Sequence, residues 1–288
     1  MSRNNQISGF EMLESRTMMS AAPMPHVEAA VRTPVVHAPL RHVVKTVANP
    51  AVTQKNISYK DFSSDPLFAS TGPTMSDINQ GTLGDCYLLS TLSSVVNTDP
   101  GLIKKDIVSD GAGVYTVTFG AGKGTQITVD SKLPVWSDGQ LAYAQLGNQN
   151  STWVAIYEKA FAVYQNPKAD RYATINGGWM SEAFNALGLK NQTIESAPSA
   201  TNLLATLQSD LQAGDFATFG TIGMLPSSSP LVAGHAYEVN SVQDNSSGTP
   251  QTVTLRNPWG NGAADDGMIT ITAKQAYSAF AGIVIANV

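Results

Sequence analysis

The apolar residues of "GDCYLLSTLSSVV" fall at 88, 89, 92, 95 and 96, the stripe of a helix packed along one face, and no strand can satisfy that spacing. "TWVAIYEKAFAVYQN" repeats the helical period and stops before Pro167, while "SEAFNALG" and "ATNLLATLQSDLQAG" continue it, the last closed by Gly214. The period then changes to two. "DFATFGTI", "AGHAYEVNSVQD", "QTVTLRNP", "GMITIT" and "AGIVIANV" alternate as strands do, and "GVYTVTF" and "TQITVD" form an earlier hairpin around "GAGKG". A mostly helical front followed by a mostly β back predicts an α+β fold. "GAGKGT" (120–125) lacks the leading glycine and trailing Ser/Thr of a phosphate loop and joins two strands, so it reads as a turn.

Ahead of this pattern, residues 21–58 are rich in Ala, Val, Pro and His and hold no period, as expected of a linker or pro-segment. Charge divides at the same place. Residues 1–58 carry six Lys/Arg against three Asp/Glu, and the remainder eleven against nineteen. An acidic body without basic clusters points away from nucleic acid, and no apolar run is long enough to predict a membrane span. The start, "MSRNNQISGFEMLESRTMMSA", lacks the apolar core of a secretory signal. It resembles a short tag of the form F-E-x-L-E-x-R-x-L-L-S-A found on exported or surface proteins of some bacteria, with methionines at 18 and 19 in place of the leucines. The tag implies an extracellular or cell-surface address; without it the chain would be read as cytoplasmic.

Cys86 is the only cysteine, so no internal disulfide exists. A lone cysteine is ordinarily a small core residue. Three features argue for a nucleophile. Cys86 opens a helix, where the dipole favours a thiolate. Gln80, six residues earlier, can offer an amide N–H to an oxyanion. Finally, three of the four histidines (His26, His37, His42) lie in the leader, leaving His235 as the one imidazole of the body. An imidazole near a thiol can take its proton, and it needs an orienting acceptor. Asn257 in "RNPWG" can supply one, with Trp259 covering the bond.

With those residues in place, "QGTLGDCYLLS", "GHAYEV" and "RNPWGNG" resemble the three active-site blocks of the calpain-type papain-like cysteine peptidases. "TQITVDSKLPV", "STWVAIYEKAFAVY" and "YATINGGWMSEAF" resemble segments between those blocks, so the likeness covers about residues 60–285. It implies a two-lobed papain-like fold, with a helical lobe carrying the cysteine (about 59–200) and a β-rich lobe carrying histidine and asparagine (about 201–288). It also implies roles: Cys86 as nucleophile, His235 as base and then acid, Asn257 as orienter. Gln80 would join the Cys86 N–H in the oxyanion hole, and Trp259 would act as a shield. Gly178 and Gly234 would make room for an extended peptide substrate. Tyr87 stands where the family usually has Trp. "NGAADDG" (261–267) fails the EF-hand spacing, so no metal ligand and no cofactor is assigned. Calcium dependence stays open, with independence favoured and Asp265 and Asp266 read as an acidic turn. Two other uses of the same residues are transfer of the acyl group to an amine, as in a transglutaminase, and a non-catalytic surface binding module.

Overall fold

A computed structural model describes residues 47–52, 54–120, 124–169 and 171–288; the tag and the leader up to residue 46 lie outside the described residues. Among the described residues eleven strands and six α-helices follow in chain order. The first part holds β1 (Ile57–Asp61), α1 (Cys86–Thr98), α2 (Pro100–Asp106), β2 (Ile107–Gly111), β3 (Val114–Phe119), β4 (Thr125–Asp130) and β5 (Lys132–Trp136). Next come α3 (Trp153–Gln165), α4 (Met180–Ala186), β6 (Lys190–Ile194) and α5 (Ala200–Ala213). The chain closes with β7 (Phe216–Thr221), β8 (Ala236–Asp244), β9 (Pro250–Arg256), β10 (Met268–Thr272), α6 (Ala273–Ala279) and β11 (Phe280–Asn287). β1 and β5 pair alone, β2, β3 and β4 form an antiparallel sheet, and six strands form a third sheet in the order β10-β9-β8-β7-β11-β6. Helices and antiparallel sheets are thus mixed as an α+β chain.

The front of the chain is less helical than its periodicity suggests, because five short strands lie between Ile57 and Trp136. α2 was hidden by its brevity. Pro100 presets its first turn, and the Asp99 carboxylate accepts from the Gly101 N–H at 2.9 Å to cap it. α5 ends as expected on Gly214, whose φ of +84° is a left-handed cap.

The six-stranded sheet is buried on both faces. Phe216, Ala236, Val284 and Ala286 pack into an apolar cluster with α1, α3 and α4. Their neighbours Ala217, Tyr237, Ile283 and Ile285 pack into a second cluster with Leu203, Leu204 and Leu207 of α5. Successive residues of a strand point to opposite faces, so one alternating sequence serves both clusters. α1 is therefore enclosed more completely than an amphipathic stripe requires. Ser90, Thr91, Ser93 and Ser94 are buried along with Leu88, Leu89, Leu92, Val95 and Val96. Burying hydroxyls is tolerable because they are bonded. Ser93 Oγ donates to Glu238 of β8, and Ser94 Oγ accepts from the Ala217 N–H of β7 at 2.9 Å. The small polar side of the helix thereby fastens it to the sheet.

Composition places residues 47–58 in the leader, but the structure seats them on the body. Ala48 bridges Val129, and Ala51 bridges Arg171. The Tyr59 hydroxyl donates to the Pro50 carbonyl. Lys159, fully buried, donates to Asn49 Oδ1 at 2.7 Å, to Asp130 Oδ1 at 2.6 Å and to the carbonyls of Asp130 and Lys132 at 3.0 and 2.7 Å. A buried ammonium needs such a full set of acceptors. A chain beginning at residue 47 should accordingly be more stable than one beginning at residue 58, by about 1–3 kcal/mol for the lost bonds to buried groups. Urea unfolding midpoints would show it, and equal midpoints would contradict it.

Candidate active site

Cys86 is the first residue of α1, so its backbone N–H has no partner within the helix. Its side chain is half-buried. Glu238 reaches Ser93 from the face of β8 on which Ala236 packs into the same apolar cluster as Cys86, and the Ala236 backbone pulls the thiol pKa downward. His235 is the residue immediately before Ala236, 8% exposed, at the mouth of β8. Its own backbone N–H donates to Thr221 Oγ1 at 2.9 Å, and its carbonyl accepts from the Thr221 N–H at 2.9 Å. The backbone of His235 is thus held from the last residue of β7.

Asn257, just beyond β9, places Oδ1 2.9 Å from His235 Nε2. The same Oδ1 accepts the Trp259 backbone N–H at 3.0 Å. That second bond identifies the atom as the carboxamide oxygen, so His235 Nε2 is the donor. In the neutral ring Nδ1 is then the basic nitrogen. The indole of Trp259 sits beside the imidazole, its ring centroid 5.2 Å away and tilted by 51°, and it is 40% exposed. Tyr237 meets the imidazole edge-on at 5.0 Å. Burial lowers the His235 pKa, against the opposing pull of the Asn257 bond.

Burial has the opposite effect on the sulfur, raising the Cys86 pKa; the neighbouring Asp85 charge adds to it, while the Ala236 N–H bond opposes. The expectation that the helix start would lower the thiol pKa is thus corrected: desolvation outweighs the dipole and raises it.

Gln80 is carried to the site by its backbone, whose N–H donates to the Pro258 carbonyl at 2.8 Å. Arg256 Nη2 donates to the preceding Ile78 carbonyl at 3.1 Å and pairs with Asp266 at 3.0 Å. The Gln80 side chain turns inward, however. Nε2 donates to the Leu83 carbonyl at 2.7 Å and to Asp85 Oδ1 at 3.2 Å, and Oε1 is buried without a partner. Both amide hydrogens are therefore engaged before any substrate arrives.

The two candidate glycines are exposed. At Gly178 a Cβ would stand 2.5 Å from the Tyr87 ring, so only glycine fits beside the residue that follows the cysteine. Gly234 has ample room but a φ of +61°, so its requirement is conformational. Asp265 and Asp266 lie in a short turn with φ of +50° and +52°. Among the described residues no group of three or more His, Cys, Asp or Glu gathers as a metal site, and no helix is long and apolar enough to cross a membrane. The sequence reading missed Asp85, Arg256 and Glu158. Only Glu158 carried a signal, a charge within the apolar helical run of α3; Asp85 lies at the N-cap of α1 and Arg256 at the end of β9.

The sequence model of the calpain family cysteine protease matches residues 46–267. The chain belongs to the calpain family. It is 30% identical over 215 residues to the calpain-2 catalytic subunit of Macaca fascicularis, covering 69% of this chain and 30% of that protein. The human calpain-2 catalytic subunit gives 29% over the same length and the same shares. The calpain-type cysteine protease ADL1 of Oryza sativa subsp. japonica gives 31% over 235 residues, 76% of this chain and 10% of that protein. This calpain-family chain thus spans less than a third of the length of these relatives.

If the indole keeps water from the imidazole, Trp259→Ala should move the His235 pKa upward toward the ordinary histidine value. NMR titration of the ring protons measures this, and an unmoved or lowered value would remove Trp259 from that role.

Proposed function

We propose that the chain is a cysteine endopeptidase in which Cys86, His235 and Asn257 form the catalytic triad and the substrate is a polypeptide. The observation that carries this reading is the bond of His235 Nε2 to Asn257 Oδ1 at 2.9 Å, made by the residue next to Ala236, which packs in the same cluster as Cys86. Asn257 holds the Nε2–H tautomer, leaving Nδ1 to receive the thiol proton. Sulfur then attacks the scissile carbonyl carbon, and the carbonyl π electrons move to oxygen. The oxyanion is held by the Cys86 N–H and an amide hydrogen of Gln80. As the tetrahedral adduct collapses, the C–N bond breaks and His235 returns its proton to the leaving amine, giving an acyl-enzyme. Water, deprotonated by His235, attacks the thioester; sulfur leaves and recovers its proton. General acid–base help contributes about 10²–10⁴-fold, and an oxyanion donor about 10²–10³-fold.

The substrate chain would run in extended form past Gly178 and Gly234. Tyr87 replaces the family's usual Trp without touching the triad bonds.

Cys86→Ala should abolish cleavage of casein and labelling by an epoxide thiol inhibitor while leaving the circular dichroism unchanged. Persistent cleavage would refute the assignment. The base must be neutral to act, so kcat/KM should rise with pH through the His235 pKa, and burial places that limb below the ordinary imidazole value. A limb above that value would place the wrong group in the role.

A further inference from the structure

Asp85 occupies the N-cap of α1, where an aspartate ordinarily accepts a helix N–H, yet its side chain makes no capping bond. It is fully buried, and its Oδ1 faces Gln80. Glu158, within α3 and 1% exposed, is in hydrogen-bonding contact with it. The Glu158 oxygens accept the Ala144 N–H at 3.1 and 3.2 Å. Neither carboxyl has a cation beside it among the described residues, and Asp85 Oδ2 is buried with no donor of its own. Two touching carboxyl groups out of water cannot both ionise, and a proton between them removes the conflict.

We propose that Asp85 and Glu158 share one proton behind the nucleophile, and that this pair positions the Gln80 carboxamide for the oxyanion. The inference rests on the peptidase reading above and deepens it. Besides each other, the titratable groups facing the pair are Tyr143 and Tyr172 around Glu158, and Cys86 and Tyr87 beside Asp85. None of these supplies a positive charge. Burial pushes Asp85 up to about 7 and Glu158 well above the usual carboxylate range, so the pair holds on to a proton where ordinary carboxyls have lost theirs.

The arrangement resolves the engaged amide of Gln80. One of its hydrogens must be released to bind an oxyanion, and the 3.2 Å contact to Asp85 is weaker than the 2.7 Å bond to Leu83. A carboxylate accepts more strongly than a neutral acid. When the shared proton crosses from Glu158 Oε to Asp85 Oδ2, Asp85 loosens its hold and Gln80 can turn toward the cleft. No net proton is gained or lost. Asp85 and Glu158 are positioning residues, since neither touches the substrate.

The test uses the full chain, with rates normalised to active sites titrated by a thiol inhibitor. Asp85→Ala should lower kcat roughly 10–100-fold, part of the cost of an oxyanion donor, with KM little changed. Asp85→Asn, which still accepts from Gln80 and can donate to Glu158, should recover most of that loss. Glu158→Gln gives Asp85 a fixed donor that cannot transfer its proton, so the kcat–pH profile should lose one ionisation. Equal losses in both Asp85 variants, a fall carried by KM, or an unaltered Glu158→Gln profile would overturn the proposal. A readout independent of turnover is the infrared carbonyl band of a protonated acid at about pH 8, where ordinary carboxyls are ionised. It should appear in wild type minus Glu158→Gln. Its absence defeats the shared proton even in an active enzyme, whereas its presence in an enzyme that neither labels nor cleaves would defeat only the peptidase reading.

Discussion

The seating of α1 against β7 and β8 is the constraint on which the rest of the site depends. The helix carries the thiol, and residue 235 precedes the strand that receives it. Residues 236 and 238 share a face of β8 by the alternation of a strand, so Ala236 packs into the cluster that holds Cys86 where Glu238 meets Ser93. Ser94 adds a bond to β7. A slip of one residue in β8 would turn the Ala236 and Glu238 side chains to the opposite face, away from α1.

Electrostatically the site is built by exclusion of water. Burial lowers the imidazole and raises the thiol, so each is driven toward its uncharged form. The same desolvation strengthens each aligned dipole around the cleft. Asn257 Oδ1, taking one bond from its own loop and one from the ring, fixes orientation without adding a charge that would pull the imidazole pKa upward.

Much of this was legible in the residues. α1, α3 and α5 and the strands of the back half announce themselves through long, clean periods, and Cys86, His235 and Asn257 stand in recognisable blocks. The hidden parts are short or polar. β1 and β6 have few buried positions, and α2 depends on a proline and a cap within seven residues. The full enclosure of α1 was disguised because serines and threonines read as a solvent face until their partners on β7 and β8 are known. The thiol's raised pKa was equally out of reach: position at a helix start is visible in a sequence, while burial and the uncapping turn of Asp85 are tertiary facts. Gln80 was placed correctly beside the turn, but nothing local reveals that its two hydrogens point inward.

Lys159 has one more implication, for the root of the leader. Its ammonium is anchored chiefly by body oxygens and only in part by Asn49, so the clip at residues 47–52 is fastened by a lysine that remains satisfied if the chain upstream is cut. Of the four acceptors around the ammonium among the described residues only one, Asn49, belongs to this stub, so the lysine keeps three on the body even without it.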